Sequence, residues 1–83
     1  MVSIRVSQDR FVGAFIAANE ENLYFQAGNQ ICTVASAEIV TKTAGAMSRG
    51  GMYEIAFRVR DGECVTWQIT KVSDRTCIWQ AKP

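Results

Sequence analysis

The sequence predicts a small, mainly β domain: an antiparallel meander, barrel- or sandwich-like, with at most one or two short helices. Its 83 residues suit one domain with a thin core. Apolar residues make up 48% of the chain and proline occurs once, which excludes disordered and low-complexity classes. The third observation is the alternation of apolar and polar residues along 52–71, which is typical of half-buried strands.

The clearest element is a hairpin of two strands, residues 52–60 and 63–71. A three-residue loop ending at Gly62 pairs Ile55 with Trp67, so that one face of the hairpin is continuously apolar. We therefore predict this register rather than a two-residue turn. The opposite face is then polar and solvent-exposed.

A further strand is predicted over residues 75–80, after the next turn signal. A two-residue turn pairs Trp79 with Gln68, which puts Trp79 on the polar face near Arg58. The same register pairs Cys77 with Thr70.

The three cysteines, Cys32, Cys64 and Cys77, show no metal-binding spacing. In the predicted register Cys64 and Cys77 are about 20 Å apart, whereas a disulfide needs Cα atoms within about 7 Å. We expect three buried, reduced thiols. One disulfide that uses Cys32 is the alternative.

The first twenty residues fit two structures. As a hairpin that turns at residues 8–9, residues 2–6 pair with residues 11–15 across one apolar face. As a helix near residues 8–19, Ser7 is the N-cap. We favour the strands, and an α+β fold with that helix packed on the sheet is the alternative class.

The middle of the chain predicts a strand, a short connection and a loop. Residues 30–35 have the β-branched content of a strand. Residues 36–47 either extend it or form a short helix capped by Ser36. Residues 48–51 contain two adjacent glycines and predict a loop.

One run of six residues stands apart from these patterns: Glu21, Asn22, Leu23, Tyr24, Phe25 and Gln26. Followed by Ala27, it resembles the recognition sequence of tobacco etch virus protease, with Ala27 in place of the usual Gly or Ser. The resemblance implies an engineered protease site, so residues 21–27 are predicted to be an exposed loop or linker. The chain is then a single domain, 1–83, or a peptide, 1–20, tethered to a domain at 28–83.

Charge and composition exclude several function classes. Nine Lys and Arg against eight Asp and Glu give a net charge of +1, too balanced to indicate nucleic acid or an anionic membrane. Histidine is absent, and no metal spacing or phosphate-binding loop occurs, so we expect no catalytic residue, cofactor or metal site. The longest apolar run, 11–18, is too short to insert into a membrane.

By elimination, the sequence predicts a non-catalytic module that binds or inhibits another protein through a sheet face or a strand edge. An exposed tryptophan beside arginine is typical of such interfaces. The candidate partner-binding residues are Arg49, Arg58, Gln68 and Trp79. The alternatives are a small nucleic-acid-binding β-barrel and a structural subunit that forms oligomers through strand edges.

Overall fold

The computed structural model, which describes residues 8–60 and 62–82, contains one antiparallel sheet of six strands and one short helix. The elements are β1 (Gln8–Ala18), β2 (Asn22–Ala27), β3 (Gln30–Ala35), α1 (Ala37–Thr43), β4 (Met52–Arg60), β5 (Glu63–Lys71) and β6 (Cys77–Gln80). Their order across the sheet is β3-β2-β1-β4-β5-β6. Two three-stranded meanders therefore lie side by side, and α1 connects the edge strand β3 to the central strand β4. The predicted mainly β class is confirmed.

β1 is a central strand, paired with both β2 and β4. The alternative helix near residues 8–19 is therefore wrong, and so is the turn at 8–9, because both residues pair with β4. Gly13 contributes to the pairing of β1 with β2. A Cβ at this position would lie 3.0 Å from the Cβ of Phe25, so the glycine lets β1 and β2 approach closely. The strand predicted for residues 2–6 lies outside the described residues.

The prediction of an exposed loop at 21–27 is wrong, because residues 22–27 form β2 between β1 and β3. Leu23 and Phe25 have no exposed surface. Their alternation with half-buried or exposed neighbours is that of a strand with one buried face. The segment that resembles a protease site is thus an interior part of the sheet.

α1 covers one face of the sheet, called the inner face below; the opposite one is the outer face. Of the two alternatives for residues 36–47, the structure has the short helix with Ser36 as its N-cap, whose side chain accepts a 3.3 Å hydrogen bond from the backbone N–H of Ile39. On its exposed side Lys42 and Glu38 form a 3.1 Å ion pair one turn apart. A single 3₁₀ turn, Ala44–Ala46, follows the helix.

The core lies between α1 and the inner face. It consists of Phe15, Leu23, Phe25, Val34, Ile39, Val40, Met47, Tyr53, Ile55 and Ile69. The rings of Phe15, Phe25 and Tyr53 contact one another, with centroids 5.7–6.5 Å apart. The hydroxyl of Tyr53 accepts a 2.9 Å hydrogen bond from the backbone N–H of Ser48, which ties the predicted loop at 48–51 to the core.

The β4–β5 hairpin departs from the predicted register. Near the turn Phe57 pairs with Thr66, and farther along Ile55 pairs with Ile69. One extra residue of β5 therefore lies between these pairs, and this β-bulge increases the local twist. The predicted pairing of Ile55 with Trp67 is wrong, and so is the three-residue turn, because Arg60 pairs with Glu63. With the bulge, Ile69 lies opposite Ile55 on the inner face, whereas Val65 and Trp67 lie on the outer face with Arg58.

A second bulge corrects the prediction for Trp79. Cys77 pairs with Thr70 as predicted, but Trp79 pairs with Ile69 rather than with Gln68. The extra residue, Ile78, moves Trp79 to the inner face, where it packs partly buried against the core.

All three cysteines are free thiols, as expected. The expectation that they are buried is wrong, because Cys64 and Cys77 are exposed and Cys32 is half-buried. Within the described ranges, no helix has the length and apolar character needed to cross a membrane.

Candidate functional site

The structure separates the four predicted binding residues. The guanidinium of Arg58 stacks on the ring of Trp67 on the outer face, 4.4 Å from the ring centroid. Gln68 lies nearby on the same face. Trp79 is on the inner face, and Arg49 is exposed in the loop before β4. Only Arg58 and Gln68 are brought together.

On the outer face one carboxylate lies between two arginines. The carboxylate of Glu54, whose side chain is 18% exposed, lies 3.5 Å from Arg10 and 3.7 Å from Arg75. The same face exposes four large apolar side chains: Val12, Ile31, Met52 and Val65. The outer face therefore combines arginine side chains with exposed apolar ones.

A groove opens on the inner face beside α1, with a volume of about 900 Å³. Residues 32–36 line it from β3 and the turn that follows, whereas β5 and the end of β6 contribute residues 63–66 and 79–82. The aromatic part of its lining is Phe11, Phe57 and Trp79, all half-buried. Such a volume falls within the range of about 300–1,000 Å³ that is usual for ligand sites.

The groove carries no net charge along its lining. α1 contributes Glu38 and Lys42, which neutralise each other at 3.1 Å. Glu63 and Lys82 add one negative and one positive charge from the other side. Its aromatic side chains offer apolar surface, so the groove favours apolar groups.

Among the described strands β3 lies at the edge that borders this groove, and the backbone groups that point away from β2 can be assigned. The N–H of Ser36 donates a 3.0 Å hydrogen bond to the carbonyl of Glu21, which makes the two a hydrogen-bonded pair. Hydrogen-bonded pairs alternate along an antiparallel ladder, and the β2–β3 register is unbroken. The N–H and C=O groups of Ile31, Thr33 and Ala35 therefore point away from β2.

None of the usual devices that block strand pairing occurs on β3. Its six residues contain no charge and no proline, and its register with β2 has no bulge. Ile31 is 66% exposed at the edge. We call the outward groups of Ile31, Thr33 and Ala35 the open edge.

Sequence reasoning found β3 but missed both the open edge and the groove. The neutral composition of residues 30–35 is visible in the sequence, yet an edge position depends on which strand pairs with which. The groove needs residues from β3 and from β5–β6, which are distant in the chain.

Metal-ligating and titratable side chains provide no further candidate site in the described ranges. Nowhere in the two described ranges do three or more metal-ligating side chains cluster. The pKa of Asp74 is lowered by hydrogen bonds from the side chain and then the backbone of Thr76, in the turn before β6. That carboxylate is fully exposed, away from the groove and the open edge.

No family model matches the chain, and no curated protein or solved structure resembles it significantly. The function is therefore argued from the residues themselves.

Proposed function

We propose that the protein is a non-catalytic protein-binding module, and that it binds its partner by adding a partner strand to the open edge. The supporting observation is the open edge itself: three residues with outward backbone groups on a neutral, regular strand. Strand addition is a recurrent mode of peptide recognition in which main-chain hydrogen bonds supply affinity.

The expected strength follows from the number of hydrogen bonds. Three outward residues offer three donors and three acceptors, and each bond contributes about 0.5–1.5 kcal/mol net. Their sum, about 3–9 kcal/mol, must offset the entropy lost on association. Backbone pairing alone therefore gives weak binding, and side-chain contacts must supply the remainder.

The test removes one outward donor without disturbing β2. In Thr33→Pro the lost N–H points away from β2, and proline is tolerated at such positions of edge strands. The matched control is Cys77→Pro on β6. Lys71 donates a 2.8 Å hydrogen bond to the carbonyl of Thr76, so the N–H of Cys77 also points away from its neighbour.

Partners are captured from an extract of the source cells with wild type and both variants, and are quantified by mass spectrometry. We expect at least a tenfold loss with Thr33→Pro and no loss with Cys77→Pro. In the purified complex, amide exchange of Ile31, Thr33 and Ala35 should slow. Equal capture by Thr33→Pro and wild type would refute the proposal.

A structural subunit that assembles through the same edge is the second candidate. β3 carries no charge, so two copies can pair about a two-fold axis without repulsion between like charges. Light scattering separates the two candidates. A dimer that Thr33→Pro dissociates would identify the subunit, whereas a monomer that captures another protein favours the binding module.

A further inference from the structure

A strand added to the open edge has a defined orientation relative to the groove. Its side chains alternate between the two faces of the sheet, as in any strand. On the inner face they lie beside Cys32 and Val34, which are the inner-face residues of β3. Both residues line the groove.

The groove extends from these residues toward the aromatic side chains of Phe57 and Trp79 and the exposed thiol of Cys64. Every second side chain of the added strand therefore enters the groove, while the intervening ones stay on the outer face. A six-residue strand directs three side chains inward. The open edge and the groove thus form one composite site.

The lining of the groove selects the chemistry of those inward side chains. Phe11 and Phe57 contact each other with centroids 6.1 Å apart and offer only apolar surface. Glu38 and Lys42 already neutralise each other. An inward charge would lose part of its hydration against this apolar surface, whereas an aliphatic side chain removes aromatic surface from water.

We infer that the partner segment is an extended, uncharged strand with aliphatic side chains at alternate positions, which pairs with the open edge and inserts those side chains into the groove. This inference rests on the proposed function and names the class of sequence that the module recognises. The occupant is a strand of another protein rather than a free small molecule, because an extended backbone can replace water at the outward N–H and C=O groups of all three residues of the open edge at once.

The probes are two blocked hexapeptides flanked by lysines for solubility. One alternates Thr and Val, and the other alternates Thr and Ser, so both offer the same backbone groups. Binding is followed by ¹H–¹⁵N NMR through the amides of Ile31, Thr33 and Ala35 and the indole N–H of Trp79. We expect the Thr/Val peptide to bind at least tenfold more tightly and to shift all four signals.

Two substitutions locate the binding. Cys64→Lys places a charge in the groove at an exposed position, so the fold should persist, and it should weaken the Thr/Val peptide about tenfold. Val12→Lys, the matched control, adds the same charge at an exposed site of the outer face and should leave affinity unchanged. Thermal midpoints verify that both variants fold.

The outcomes separate the inference from the proposed function. If both peptides bind equally and Thr33→Pro abolishes both, the open edge binds strands but the groove does not select them, and the inference is overturned alone. If neither peptide binds at millimolar concentration, the inference also fails. The proposed function is then tested by the capture experiment with Thr33→Pro.

Discussion

The two edges of the sheet differ in how they meet solvent. β6 is four residues long, its register with β5 is interrupted by a bulge, and charged residues stand on both sides of it, Arg75 before and Lys82 after. β3 is longer, regular and uncharged. Short length, bulges and nearby charges are the means by which proteins prevent unwanted strand pairing. Within the part of the chain that the structure describes, β6 has these protective features and β3 lacks them.

Both edge strands bury few side chains. Val34 is the buried residue of β3, and β6 has only half-buried or exposed ones. Strands with few buried side chains belong to the least stable part of a structure. Availability at β3 therefore results from its unpaired backbone rather than from a weaker attachment than that of β6.

The largest expected effect concerns the strand that β3 covers. Tobacco etch virus protease should cut the folded protein after Gln26 about 1,000-fold more slowly than a peptide of residues 20–29, because β2 must first leave both neighbours. A small domain with about 5 kcal/mol of stability opens globally in roughly one molecule in 10³–10⁴. Gel electrophoresis of the 1–26 and 27–83 fragments measures the rate. Rapid cleavage of the folded chain would mean that β3 detaches readily. It would then not be a persistent edge strand, and the contrast drawn with β6 would be wrong.

The next effect distinguishes a residue of β3 whose N–H points toward β2 from one whose N–H points away from it. In Val34→Pro the lost N–H belongs to the ladder with β2, and a buried side chain is removed as well, so unfolding free energy should fall by about 3 kcal/mol. Thr33→Pro should cost about 1 kcal/mol or less. Urea denaturation of both variants tests the assignment of outward groups. Equal losses would show that the assignment is wrong.

The smallest effect lies near β6. Hydrogen bonds from Thr76 hold the pKa of the Asp74 carboxyl below its ordinary value of 3.8 in the folded state. Because the folded pKa is the lower one, the stabilisation is present above pH 3.8 and is lost as pH falls through the folded value. Asp74→Asn abolishes this dependence. Melting temperatures of both proteins between about pH 5 and pH 2 should show a slightly steeper loss for wild type; parallel curves would contradict the assignment.

Much of the fold is predictable from local sequence. The strands at 52–60, 63–71 and 30–35 occur as predicted, because side-chain alternation and β-branched residues act within one segment. The helix capped by Ser36 was one of two alternatives for residues 36–47, and the structure has that helix. β2 was not predicted, because its resemblance to a protease site indicated a loop. The alternation of its buried residues, Leu23 and Phe25, with less buried neighbours is nonetheless typical of a strand.

The candidate site was less predictable. Arg58 and Gln68 were placed on one face correctly, since both lie in the best-defined hairpin. Trp79 was misplaced by one position, which in a strand means the opposite face. The residue responsible, Ile78, has nothing in its own sequence context that marks it as the extra residue of a bulge.

The sequence by itself determined that this chain is mainly β and where most strands lie, because those properties depend on periodicity and on neighbouring residues. Tertiary structure decided the strand order, the two bulges that turn Trp67 and Trp79 to opposite faces, and the pairing that makes β3 an edge beside the groove. A bulge is favoured when the side chains on both faces of the sheet pack well once it has formed. A described strand lies at an edge when no other described strand pairs with its outer side. Both depend on residues far apart in the chain.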